Sequence, residues 1–183
     1  GACRRQLGDL AGARGDLDAA CAADPGWTWA FMQRGLARKA SGDLAGARAA
    51  YDAALRLEPG DATTLYNRGL LHEAAGDPAA AEADYTAAIG ARPGHASALI
   101  NRGILRTDRG ALDEAMADFD AAVAAEPGRA AGHVWRSTIL LARGDADGAL
   151  AAGEAASRCR IRGHTKPTST ACQWTRARWC TCA

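Results

Sequence analysis

The chain has no run of about 18 apolar residues, so nothing in it reads as a membrane span. It carries no Gly-rich phosphate loop, no metal-ligand motif and no nucleophile elbow, which removes the usual sequence marks of catalysis. Lysine is almost absent: of 22 basic residues only Lys39 and Lys166 are not arginine. No N-terminal segment has the pattern of a signal peptide. Acidic residues vanish after Arg158, so residues 159–183 hold five basic side chains and residues 1–158 hold 17 against all 21 acids. The near-zero net charge of +1 therefore conceals a mildly acidic body, which lacks the uniform basic face that nucleic acid requires. Arginine bias with abundant Ala and Gly points to a GC-rich, bacterial coding sequence.

What is present is a repeat. Pro25, Pro59, Pro93 and Pro127 stand a constant 34 residues apart. Gly35, Gly69 and Gly103 recur with them, as do Gly42, Gly76, Gly110 and Gly144, and Ala47, Ala81, Ala115 and Ala149. Tyr51, Tyr85 and Phe119 complete the pattern. A fixed period of this size marks stacked supersecondary units, each burying its apolar face only on its neighbours. Each unit reads as two helices. Gly42 stops the first because it tolerates the left-handed backbone, Asp43 caps the second, and Pro59 blocks its continuation. Pro78 suits a first helical turn. Gly35 and Ala47 are small so that the facing backbones approach, with Tyr51 covering the joint and Leu55, Ile89 and Val123 one turn beyond. Cys3 and Cys21 occupy core places held by Ala37 and Leu55 one period later.

This pattern resembles the tetratricopeptide repeat (TPR), over residues 1 to about 157. The fold expected is all-α, a right-handed α-solenoid of helix-turn-helix repeats. Its divisions are a partial repeat at 1–25, repeats at 28–61, 62–95 and 96–129, a degenerate repeat at 130–158 and an irregular basic Cys-rich tail at 159–183. Gly1 aligns with Gly35 and no Met precedes it, so the chain reads as a fragment of a longer array. In the fourth unit Ser137 replaces the Gly, Gly153 the aromatic and Ile161 the closing Pro.

The resemblance implies a concave groove lined by the first helices, through the second, fifth, sixth, ninth and twelfth places of each repeat. Those are Trp29, Met32, Gln33, Leu36 and Lys39, then Thr63, Tyr66, Asn67, Leu70 and Glu73. The third repeat gives Ser97, Ile100, Asn101, Ile104 and Thr107; the fourth gives Ala131, Val134, Trp135, Thr138 and Leu141. Met32, Leu36, Tyr66, Leu70, Ile100, Ile104 and Val134 form an apolar ladder, some of which serve packing between helices. Asn67 and Asn101 rim it, with amides suited to a peptide backbone. One TPR class clamps chaperone C-terminal carboxylates with cations beside such an Asn. The corresponding places here (Met32, Leu36, Ser97 and Asn101, or Tyr66, Leu70, Ala131 and Trp135) carry no cation, so that class is not expected.

The resemblance thus implies a non-enzymatic scaffold that binds a protein or peptide segment, without cofactor or metal. The alternative is the docking arm of a larger enzyme whose catalytic domain lies outside these residues. A cytoplasmic location and self-association through an uncapped end are further expectations. Arg34, Arg68, Arg102 and Arg136 recur before the small Gly/Ser place. They read either as an RNA-binding stripe or as partners of Asp84 and Asp118, and bidentate pairing of buried guanidinium favours the second. For the tail three readings stay open: a reading-frame shift near Arg158, a basic tail whose Arg and Trp contact nucleic acid or a surface, and a metal site. Cys159, Cys172, Cys180, Cys182 and His164 are too unevenly spaced for an ordinary zinc site.

Overall fold

The computed structural model describes residues 10–162. Among them are nine helices and no strand: α1 (Leu10–Ala23), α2 (Thr28–Ala40), α3 (Leu44–Leu57), α4 (Ala62–Ala74), α5 (Pro78–Ala91), α6 (Ala96–Asp108), α7 (Leu112–Ala125), α8 (Ala130–Ala142) and α9 (Ala146–Arg162). The partners α2/α3, α4/α5, α6/α7 and α8/α9 pack most closely, and each pair rests on the next through α3/α4, α5/α6 and α7/α8. That is a solenoid, with local contacts only.

The turn inside each repeat is built the same way four times. Gly42, Gly76, Gly110 and Gly144 have φ of 81°, 77°, 84° and 79°, the left-handed region open to glycine. The following amide turns back to a carbonyl five residues earlier, as from Asp43 to Arg38 and from Asp77 to His72 (both 2.9 Å). This satisfies carbonyls that the helix end would otherwise strand. Asp43, Asp77 and Asp145 then cap α3, α5 and α9 by accepting from the amides of Gly46 (2.8 Å), Ala80 (3.0 Å) and Gly148 (2.9 Å). At the same place Ala111 offers α7 no side-chain cap. Ala111→Ser would supply one and, with Glu114 three residues on, complete a capping box. The expected gain is about 1 kcal/mol, read as a rise of a few degrees in the thermal midpoint. A midpoint unchanged or lowered would count against this account of α7.

The core is made of alanine around a ring. Ala47, Ala81 and Ala115 are fully buried, and so are Tyr51, Tyr85 and Phe119. Each ring lies on a helical glycine: a Cβ on Gly35, Gly69 or Gly103 would fall 2.4, 2.5 or 2.6 Å from the Cε1 of Tyr51, Tyr85 or Phe119. Burying each ring contributes about 2–3 kcal/mol. Cys21 is buried as a small core residue, and burial raises its thiol pKa. Cys3 lies outside the described residues.

The repeated arginines pair with carboxylates. Arg68 donates from Nε (2.8 Å) and Nη2 (2.6 Å) to the two oxygens of Asp84, and from Nη1 to Asp52 (2.8 Å). Arg102 donates likewise to Asp118 (3.0 and 2.6 Å), with Nη1 on Thr86 (3.1 Å). Each guanidinium therefore reaches 16 residues forward and 16 back along the chain. At the array's ends the forward place holds Ala50 or Ala152, and only the backward partner serves. Arg34 keeps Asp18 at 3.8 Å and Arg136 keeps Asp120 at 2.6 Å. His72 and Arg106, at corresponding places of their repeats, join the same carboxylates. Arg106 reaches Asp118 (2.9 Å) and Glu82 (3.0 Å), and His72 lies 3.7 Å from Asp84.

The last helix departs from expectation. The earlier second helices stop two residues before Pro59, Pro93 and Pro127, because a residue preceding proline avoids helical backbone. With Ile161 at that place α9 runs on to Arg162, 17 residues against 14. The irregular segment therefore cannot begin at 159: Cys159 is helical, and its Sγ contacts the Pro127 carbonyl at 3.3 Å. Cys172, Cys180, Cys182, His164 and the remainder of the tail lie outside the described residues.

Candidate partner-binding groove

The first helices α2, α4, α6 and α8 share one face of the stack, and α2 approaches α4 as α6 approaches α8. Side chains of α2, α4 and α6 meet around Glu73. Tyr85, rising from α5 behind this face, donates its hydroxyl to Glu73 Oε2, and Asn101 Nδ2 lies 3.4 Å from the same hydroxyl. Lys39 on α2 attracts the Glu73 carboxylate and Asp108 on α6 repels it. Tyr66 fills the space alongside, its ring 5.8 Å from that of Tyr85 and 4.9 Å from that of His95, with the polar side chains of Ser97 and Asn101 near its hydroxyl.

Burial dominates the electrostatics of this cluster. It raises the pKa of Glu73 against the opposing pull of Tyr85 and Lys39. It lowers that of Lys39, with Glu73 opposing. Both tyrosines are raised, chiefly by burial, and Tyr85 further by its bond to Glu73. A half-buried ammonium and carboxylate, each short of water and incompletely paired, form a place where added hydrogen bonds are worth more than at an open surface. Asn67, half-buried on the same helix face, has no hydrogen-bond partner among the described residues.

Of the predicted groove residues, Lys39, Tyr66, Glu73, Ser97 and Asn101 are thus brought together. Met32, Leu36, Leu70, Ile104 and Val134 are half-buried along the first helices, and Met32 packs toward Tyr51 and Leu71. Ile100 is not presented to a partner. At 5% exposure it is core, clustered with Leu99, Phe119 and Ile139, so its place on the apolar ladder is corrected to packing. Gln33 is buried likewise, and Trp135 stacks on Phe119 at 5.8 Å. Thr107 and Thr138 turn their hydroxyls onto their own helices, to the carbonyls of Gly103 and Val134. Trp29 is exposed and stacks on Trp27 at 5.4 Å, apart from the Glu73 cluster.

Three overlapping stretches, residues 32–96, 66–130 and 101–161, match the tetratricopeptide repeat family. The chain belongs to the TPR family. No protein of curated function matches it in sequence. Among solved structures the TPR array is similar to MamA, with a TM-score of 0.77 at 19% identity over 87% of this chain and 93% of that one. YrrB, described as a TPR protein with an unusual peptide-binding site, gives 0.68 at 18% identity over 96% and 87%. PilF of Pseudomonas aeruginosa gives 0.79 at 16% identity over 89% and 73%. At such identities the likeness is one of fold. A TPR array is a protein-interaction scaffold, and TPR proteins are generally not catalysts themselves. No helix among the described residues is long and apolar enough to cross a membrane.

Two participants were not marked by the sequence as groove residues. Tyr85 reads as a packing ring, and only its hydroxyl, absent from Phe119, separates it from its repeat-mate. His95 occupies the cap place of α6, where Asp61 caps α4 and Arg129 caps nothing. Its Nδ1 accepts from the Ala98 amide at 3.3 Å, which requires the neutral ring. Burial depresses its pKa below the ordinary 6.5; Arg92 and Arg129 add to this and Glu126 opposes it, with Tyr66 against the ring. Because the folded value lies below the unfolded one, the unfolded chain binds the extra proton between them. His95 therefore contributes stability that is full above about pH 6.5 and is lost as pH falls through the folded value. His95→Asn keeps a cap acceptor and removes the titration. Its denaturation free energy should fall less between pH 7.5 and 5.5 than that of the parent chain. An identical pH slope would rule out His95 as the source.

Proposed function

We propose that the groove formed by α2, α4, α6 and α8 docks a segment of a partner protein, with Lys39, Tyr66, Asn67, Glu73 and Asn101 as its recognition centre. The observation that carries this reading is the meeting at Glu73 of two half-buried, partly paired charges, Lys39 of α2 and Glu73 of α4, with the Asn101 amide of α6. Asn67 and Asn101 offer amides to the backbone of the segment, and Met32, Leu36, Leu70, Ile104 and Val134 offer an apolar bed to its side chains. The fold relationship to YrrB, a TPR protein with a peptide-binding site, agrees with this use.

The test is selection of displayed random dodecapeptides on the 183-residue chain, followed by calorimetry of the enriched sequences. Dissociation constants of about a micromolar are expected for a single groove of this kind. Lys39→Glu, Glu73→Gln and Asn67→Ala should each weaken binding about tenfold. Arg48→Glu, on the exposed side of α3, should not. Equal binding by the groove variants, or no enrichment, would sink the reading.

A further inference from the structure

At the end of the described array α8 and α9 leave a cleft open. In the three preceding repeats a ring fills this place and the next first helix covers it, as Trp135 of α8 covers Phe119. In the fourth repeat Gly153 stands where the ring was, opposite Ser137, whose hydroxyl bonds the Ala149 carbonyl at 2.8 Å. The result is an open cleft of about 900 Å³ lined by Ser137, Leu141, Ala149, Leu150 and Gly153. Leu150 and Leu141 are 65% and 59% exposed, the most exposed large apolar side chains among the described residues.

The rim decides what fits. Glu154 and Arg158 line the same cleft, one helical turn apart on α9, with Arg158 Nη1 3.7 Å from Glu154 Oε2. Both side chains are well exposed, so the pair is weak within one copy. A surface carrying one acid and one base in a row on a single helix is complementary to itself when two such helices lie antiparallel. Glu154 then meets the partner's Arg158 and Arg158 meets the partner's Glu154, the reciprocity that a two-fold axis imposes. Gly153, without a side chain, lets the two helices approach between the leucines.

We propose that this cleft is a self-recognition surface, through which two copies of the chain pair α9 against α9 about a two-fold axis. Leu150 and Leu141 of each copy enter the apolar floor of the other, and the two Glu154–Arg158 pairs close the rim. The interface uses the α9 end of the described stack, away from the groove around Glu73.

Sedimentation equilibrium of the full 183-residue chain tests this. A monomer–dimer equilibrium is expected in the micromolar range, stopping at two copies. Leu150→Glu should raise the dimer dissociation constant by at least about tenfold. Glu154→Arg and Arg158→Glu should each weaken the dimer by about threefold to tenfold, and the doubly exchanged chain should recover most of the parent affinity. Since these residues are exposed, circular dichroism and the thermal midpoint, both read well below the parent's dimer dissociation constant, should stay at parent values and exclude misfolding. Strict monomer at millimolar concentration, open-ended growth, indifference to Leu150→Glu, or neutral single reversals would each overturn the proposal.

Discussion

Asp118→Ala is expected to destabilise the array by about 3–5 kcal/mol, the range for leaving a buried charge without its partner. Asp118 is only 4% exposed and receives two guanidinium groups, Arg102 through Nε and Nη2 and Arg106 through Nη1. Removing it strands Arg102, whose remaining bond is the neutral one to Thr86 at 3.1 Å. Arg106 keeps Glu82 and is the lesser loss. The control is Asp120→Ala, whose carboxylate is 52% exposed beside Arg136 and is worth less than about 1 kcal/mol. Guanidinium denaturation followed by circular dichroism separates the two. In a stack held by neighbour contacts the damage at α6/α7 should also split the transition, with the flanking repeats melting apart from the third. Equal midpoints for the two variants would refute a structural role for this carboxylate.

The array, its turns and its caps were legible because each is a local device repeated every 34 residues. Gly42 and its repeat-mates show their left-handed backbone, and Asp43 its cap, from residue type alone. The pairing of Arg68 and Arg102 with Asp84 and Asp118 was legible for the same reason, since the acids recur with the arginines. The groove was less so. The family resemblance assigns Ile100 and Glu73 alike to the concave side, yet the crossing of α6 on α7 and α8 draws Ile100 into the core. A helix face says which way a side chain leaves its own axis; the neighbour's distance says whether it is covered. The Tyr85–Glu73 bond joins two places of the repeat that carry this combination in one unit only, Tyr51 standing with Lys39 and Phe119 with Thr107. No period announces such a pair. The length of α9 was hidden by the opposite error, because a change of composition at Cys159 suggests a boundary where helical backbone continues.

Gly69→Ala joins the core to the groove. An alanine there adds about 1 kcal/mol of helix propensity. Its Cβ, however, would lie 2.5, 2.8 and 3.1 Å from Cε1, Cδ1 and Cζ of Tyr85, a fully buried ring with no room to turn. Such overpacking costs about 1–3 kcal/mol, occasionally more, and three close contacts to one rigid ring place this site at the upper end. The net loss expected is about 2 kcal/mol, with a lower thermal midpoint. Gly103→Ala against Phe119 should cost about as much, since the approach is 2.6 Å and the ring as buried. The two differ in the groove. Displacing Tyr85 withdraws its hydroxyl from Glu73, whereas Phe119 has none to withdraw. Tyr85 holds the Glu73 pKa down against burial, so Gly69→Ala and Tyr85→Phe should both move it further up, by carboxyl NMR titration, and Gly103→Ala should leave it in place. Tyr85→Phe keeps the ring and should nearly keep the stability. If Gly103→Ala shifted Glu73 as far as Gly69→Ala does, general loosening of the stack would be the cause and the hydroxyl would have no part in it.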